Sequence, residues 1–182
     1  MQPPVPLSRR PIRQAPLWLA AGLLLAPPPV QGQTRSLIAR GEYLVNLGNC
    51  EHCHTPGHFL GQRDNTKKLA GSDVGFSIPK HGTVVGPNIT PHKETGIGDW
   101  TRAEIIHALR TGERPDGRLL SPVMPWPDLA KLTKQDLEAI AAYLQSVPPI
   151  ENRIPGPFGE GEPVPLHTLR VAPPDVANDV ER

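Results

Sequence analysis

Cys50-Glu51-His52-Cys53-His54 is the stretch that decides how this chain is read. The only two cysteines of the sequence stand separated by two residues, and a histidine follows the second directly. This is the spacing of covalent c-type haem attachment. On a turn of helix both sulfurs face one side and can form thioethers with the two vinyl groups of a haem, while the next imidazole points at the iron. Three other readings compete. The pair could be half of a zinc site with His54 or His58 as further ligands, but a closed structural site uses four ligands and no second cysteine pair exists. A thioredoxin-like redox pair needs an enclosing strand-helix-strand pattern and a depressed thiolate pKa, and the flanking residues announce neither. The last reading is chance, against which the contiguous His54 counts most, because haem attachment alone requires it.

A six-coordinate haem needs a ligand on its far face, and Met124 stands in Pro122-Val123-Met124-Pro125-Trp126-Pro127, the one methionine besides the initiator. Each proline pushes the residue before it towards extended backbone, so Ser121, Met124 and Trp126 lose freedom before folding. Such stiffness suits a weak thioether ligand, and Met/His ligation raises the potential of an electron-transfer haem. The plainer reading makes Met124 a gap filler in a proline loop. Histidine is the rival ligand: His58, His81 and His92 sit in expected loops, His107 points away from the apolar face of its helix, and His167 lies in the tail. Trp100 and Trp126 bracket this half, and an indole N–H of either could donate to a haem propionate or simply pack in the core.

Helical periodicity is local and clear. Over residues 36–49, Leu37, Gly41, Leu44 and Gly48 recur every three or four positions, and glycines on a buried stripe imply close approach of another backbone. Thr101-Arg102-Ala103-Glu104 is a capping box opening a helix with Ile105, Ile106 and Leu109 inside, closed by Gly112. A third helix begins at Thr133 with Asp136 in its first turn and buries Leu137, Ile140, Ala141 and Leu144, ending before Pro148-Pro149. Residues 55–99 have no sustained period and read as loops with at most short turns. So long an irregular stretch is unusual in a domain unless something else supplies the core, and a haem disc does. Asn88-Ile89-Thr90 matches a glycosylation sequon and reads as an ordinary turn.

The ends differ from the middle. Arg9, Arg10 and Arg13 precede an apolar run at residues 15–26, broken by Pro27-Pro28-Pro29, which is the form of an export signal and too short to span a bilayer. The expected organisation is a cleaved signal at residues 1–32, a domain at residues 33–149, and a Pro/Gly-rich tail at residues 150–182 lying extended over the surface or partly disordered. A net charge of +1 with dispersed basic residues leaves no nucleic-acid footprint.

Taken together these residues resemble class I c-type cytochromes, a mainly α fold in which three to four helices and long loops wrap one covalent haem c. There the helix leading to Cys-x-x-Cys-His crosses a C-terminal helix, which here matches residues 37–48 and 137–144. Within the class, Pro87-Asn88-Ile89-Thr90-Pro91, Thr95-Gly96-Ile97-Gly98-Asp99-Trp100, Arg110-Thr111-Gly112, Arg114-Pro115-Asp116-Gly117 and Met124-Pro125-Trp126 are similar to the cytochrome subunits of bacterial membrane-bound alcohol, gluconate and aldehyde dehydrogenases. The resemblance implies that Cys50 and Cys53 carry the thioethers, His54 is the proximal ligand and Met124 the distal one. Those subunits usually string three such domains together, whereas this chain carries one attachment segment.

The expected function is single-electron transfer by an exported, periplasmic, single-haem protein that is not itself an enzyme. Its expected partners are a periplasmic or membrane-bound dehydrogenase as donor and an oxidase or another cytochrome as acceptor, with the membrane reached only through partners or an uncleaved signal. One alternative is a haem enzyme or a gas or peroxide sensor with an open distal site. The other is a haem-free metal-binding module.

Overall fold

The computed structural model describes residues 30–170. All but the last three residues of the anticipated export signal lie outside them, as do residues 171–182 of the tail. The first helix, α1 (Val30–Leu47), starts earlier than the apolar spacing suggested. It runs into α2 (Cys50–His54) through Asn49, which adopts left-handed backbone at φ 53°. Next come a strand pair, β1 (Val74–Ile78) and β2 (Gly82–Val85), then α3 (Arg102–Thr111), the single turn α4 (Trp126–Leu129), α5 (Lys134–Ser146) and a last strand β3 (His167–Arg170).

The core forms where α1 crosses α5. Leu44 and Val45 of α1 are buried against Leu137, Ala139, Ile140, Tyr143 and Leu144 of α5, and Ile105 and Leu109 of α3 close the cluster. Gly41 lies at the crossing, where any Cβ would overlap the Ala139 carbonyl and the Tyr143 side chain. Gly48 does not share this role. It is exposed beyond the helix end and meets its own Leu44 carbonyl, so it belongs to the turn into α2.

The α3 capping box is complete, with the Glu104 N–H on the Thr101 hydroxyl and the Thr101 N–H on the Glu104 carboxylate. Gly112 ends the helix at φ 75°. At the start of α5 the Asp136 N–H is capped by the Thr133 hydroxyl, and Arg40 of α1 donates to the Asp136 carboxylate at 3.0 Å. Burial in α5 exceeds the anticipated stripe, for Ala139, Ala142 and Tyr143 are buried too. With α1 and α3 both packed on it, this helix has little solvent face in its middle.

Two expectations need correction. Residues 55–99 are not loops alone: β1 and β2 pair antiparallel, and β3 joins β1 in parallel, giving a three-stranded sheet of order β2-β1-β3. Among the described residues the architecture is mainly α with five helices, rather than three to four, plus a small sheet. The described part of the tail, residues 150–170, runs mostly exposed over the surface, with Phe158 bridging Thr83 and His167–Arg170 forming β3. Among the described residues no helix is long and apolar enough to cross a membrane.

Candidate functional site

The short helix α2 carries both cysteines and His54, and its position is set from outside by loops that bind its end. The Gly71 N–H donates to the His54 carbonyl at 2.9 Å, and the Leu69 N–H donates to the Thr55 hydroxyl at 3.0 Å. Gly86 passes so close that a Cβ there would overlap the Cys53 carbonyl. Below the helix the buried Glu51 carboxylate is paired with Arg63 at 2.8 Å and Lys68 at 2.9 Å. This brace escaped the sequence reading, since a glutamate between two cysteines carries no local sign of being buried.

His54 is 5 % exposed, and its Nδ1 lies 2.7 Å from the Pro87 carbonyl oxygen. A carbonyl only accepts, so the proton resides on Nδ1 and the Nε2 lone pair is left bare. Burial pulls the imidazole pKa below its ordinary value, with the Pro87 bond opposing in part. Neutral imidazole with a fixed tautomer is the form in which histidine ligates a metal.

Cys50 and Cys53 are free and partly buried. Burial above all, with Cys53 and Glu51 nearby, pushes the Cys50 thiol up to about 11, and burial raises Cys53 as well. That is the reverse of the depressed thiolate a thioredoxin-like pair uses. Nor do three or more His, Cys, Asp or Glu side chains converge as a metal cage anywhere among the described residues, which leaves the zinc reading without a ligand set.

Met124 is packed, half-buried, on the same core as Cys50, Ile89 and Trp100. Its backbone is turned sharply, the Met124 N–H donating to the Ser121 carbonyl at 2.9 Å and the Trp126 N–H to the Met124 carbonyl at 2.7 Å. The Trp126 indole lies directly over Gly112, where a Cβ would strike the ring, so packing accounts for Trp126 and pins the methionine loop to the end of α3. The rival histidines differ in their surroundings, and the His58 Nδ1 is buried without a hydrogen-bond partner. His81, His107 and His167 are exposed, the His92 Nδ1 is bonded within its own turn to Thr95, and the His58 ring packs edge-on to His52 with centroids 4.6 Å apart.

One further residue went unremarked as a site residue. Arg114 extends over the Trp100 ring, 5.6 Å to its centroid, with its Nε buried and without a hydrogen-bond partner. Burial, followed by the neighbouring Arg118, pulls its pKa below the ordinary value. Its Nη2 lies 3.4 Å from the Asp116 carboxylate, so the guanidinium is already paired with one anion and the buried Nε is the donor left for a further acceptor. Two thiols on one helical turn, a bare imidazole nitrogen, a thioether on the shared core and a spare guanidinium donor form a set that fits an iron porphyrin with its carboxylates.

Residues 38–148 match the family model described as Cytochrome c. The chain belongs to the cytochrome c family. Membership implies covalently bound haem c. This cytochrome is 38 % identical over 133 residues to the cytochrome c subunit of the quinone alcohol dehydrogenase of Gluconacetobacter polyoxogenes, covering 72 % of this chain and 26 % of that protein. It is 37 % identical to the fructose dehydrogenase cytochrome subunit of Gluconobacter japonicus, over 72 % of this chain and 26 % of that one. A diheme cytochrome c-type protein of Cereibacter sphaeroides is 40 % identical, over 70 % and 42 % of the two chains. The chain thus spans about a quarter of the length of the two dehydrogenase subunits.

Proposed function

We propose that this cytochrome carries single electrons, and that Cys50 and Cys53 would hold one haem c through thioethers, with His54 and Met124 as the protein ligands to its iron. The observation that carries the proposal is the His54 to Pro87 hydrogen bond of 2.7 Å, which orients the ring and leaves Nε2 for a metal. One haem follows from two cysteines in one attachment segment. When bound, that group supplies an iron that cycles between two oxidation states with no bond made in a substrate.

The residues divide the remaining work. His54 keeps its proton on Nδ1, where the Pro87 carbonyl holds it, so no proton need move with the electron. Met124, stiffened by the prolines around it, would be the second protein ligand of the iron, and an iron held by two protein ligands carries electrons rather than binding a substrate or gas. Arg114 gives its spare donor to a haem carboxylate. Leu44, Ile97, Ile105 and Leu109 belong to the buried apolar cluster against which Cys50 and Met124 pack, a surrounding that would keep rearrangement on oxidation small.

Names of the relatives supply the setting. Subunits of alcohol and fructose dehydrogenases are its likeness, so the electron donor is a dehydrogenase of that kind, and the acceptor an oxidase or another cytochrome. The chain is exported, works in the periplasm, and docks briefly through a small interface, as weak redox encounters do.

Oxidised and reduced optical spectra of the periplasm-expressed protein, with the pyridine assay for thioether-bound haem, test this reading. A low-spin spectrum with a thioether haem supports it. A colourless protein, or a high-spin ferric haem that takes up added ligands rapidly, overturns it.

A further inference from the structure

The segment just beyond the family match grips both loops that hold His54. Asn88 is 2 % exposed and follows Pro87, so its N–H and the Pro87 carbonyl belong to one planar peptide group. Its side-chain Oδ1 accepts from the Thr90 N–H at 2.9 Å and the Thr90 hydroxyl at 2.7 Å. Its Nδ2 donates to the Ile150 carbonyl at 2.7 Å and to the Thr95 hydroxyl at 3.1 Å. The Ile150 N–H returns to the Thr90 hydroxyl at 3.1 Å. Two residues on, the Asn152 N–H reaches the Thr95 hydroxyl at 3.2 Å, and its Nδ2 donates to the Ala70 carbonyl at 2.9 Å. Ala70 directly precedes Gly71, whose N–H holds the His54 carbonyl.

Residues 150–152 are therefore bonded to one loop that orients the His54 ring and to another that holds the His54 main chain, although the family match stops at residue 148. An acceptor on the outer nitrogen of a ligating imidazole fixes its orientation and raises its basicity. A more basic ligand favours Fe(III). How firmly the Pro87 carbonyl is aimed depends on the fixed position of Asn88, which is a buried side chain with every donor and acceptor engaged.

We propose that residues 150–152 act as a strap that positions the proximal haem ligand, and that Asn88, Thr90 and Asn152 are positioning residues setting the Fe(II)/Fe(III) balance. This rests on the haem reading above. Loosening the strap weakens the hydrogen bond on Nδ1, lowers the basicity of His54 and raises the reduction potential. The same bonds consume the amide of the Asn88-Ile89-Thr90 sequon inside the fold.

The test uses the full-length holoprotein, titrated spectroscopically against redox mediators, in three variants. Thr90→Val removes the hydroxyl linking Asn88 to Ile150 at nearly constant shape. Asn152→Ala removes the Ala70 bond from a position less buried than Thr90. Glu160→Ala, which loosens the tail at its bond to the Lys80 N–H, is the control. At a fixed ambient potential the Fe(II)/Fe(III) ratio rises severalfold, up to about tenfold, in the first two and stays at the parent value in the third. If Thr90→Val fails to fold, Asn152→Ala decides. A red, low-spin Asn152→Ala protein with the parent ratio, whatever its melting temperature, overturns the strap while leaving the haem reading intact, and so does an equal shift in Glu160→Ala. Absence of bound haem in the parent protein overturns the haem reading first.

Discussion

Gly41 in α1 and Ala139 in α5 meet backbone to backbone, with the Tyr143 Cβ beside them. Helices approach this closely only where one carries no side chain, and neither the carbonyl nor the Tyr143 Cβ can swing away as the end of a flexible side chain would. Gly41→Ala forces the two axes apart and disturbs Val45 and Leu137, both fully buried. The expected loss is about 1–3 kcal/mol or more, as for other overpacked sites, read from the denaturant midpoint of the holoprotein. Ala tolerated at no cost would mean that the helices do not cross at this residue.

Met124→Ala removes the proposed thioether ligand. The sulfur-to-iron absorption band of the oxidised protein should vanish and the reduction potential fall, because loss of Met/His ligation removes what raises it. An unchanged oxidised spectrum would show the methionine to be packing only.

Arg114→Leu tests the proposed bond to a haem carboxylate. A cation near the haem favours the more negative, reduced state, so its removal should lower the potential while the axial bands stay in place. If the potential is unmoved, the spare Nε donor of Arg114 faces something other than the cofactor.

The carboxyl of Asp136 is held below the usual carboxylate range by the Arg40 guanidinium first and the Thr133 hydroxyl next. A depressed pKa in the fold means a contribution to stability that is present above the unfolded value of about 4 and lost as pH falls through the folded value. The difference in denaturant midpoint between parent and Asp136→Asn should accordingly be full at neutral pH and close in acid. Asp64, Glu104 and Asp116 are shifted in the same direction, so the variant keeps part of the acid sensitivity. A gap that persists unchanged in strong acid would count against the Arg40 pair.

Much of this was readable because it is local. The α3 box needs only Thr101 and Glu104, and the buried Leu137, Ile140, Ala141 and Leu144 lie within two turns of one helix. The sheet was not readable for the opposite reason: β1 and β2 are five and four residues long, and the parallel partner of β1 sits in a proline-rich tail with no period. In the candidate site the residue types and spacing of Cys50, Cys53 and His54 stand in the sequence, but their support does not. Pro87, Glu51 with Arg63 and Lys68, and the spare donor of Arg114 are tertiary relations that no window along the chain contains. Gly41 and Gly48 share one spacing, and only a packed α5 separates their roles.

The engagement of Asn88 and Ala70 by residues 150–152 also bears on the order in which the molecule can be built. A ribosome releases the attachment segment long before it releases α5, and the last clasp on its surroundings comes later still. Until residues 150–152 dock, the loops around Cys50, Cys53 and His54 lack their last clasp, so a chain still unfolded after crossing a membrane would offer a ligating enzyme an open target.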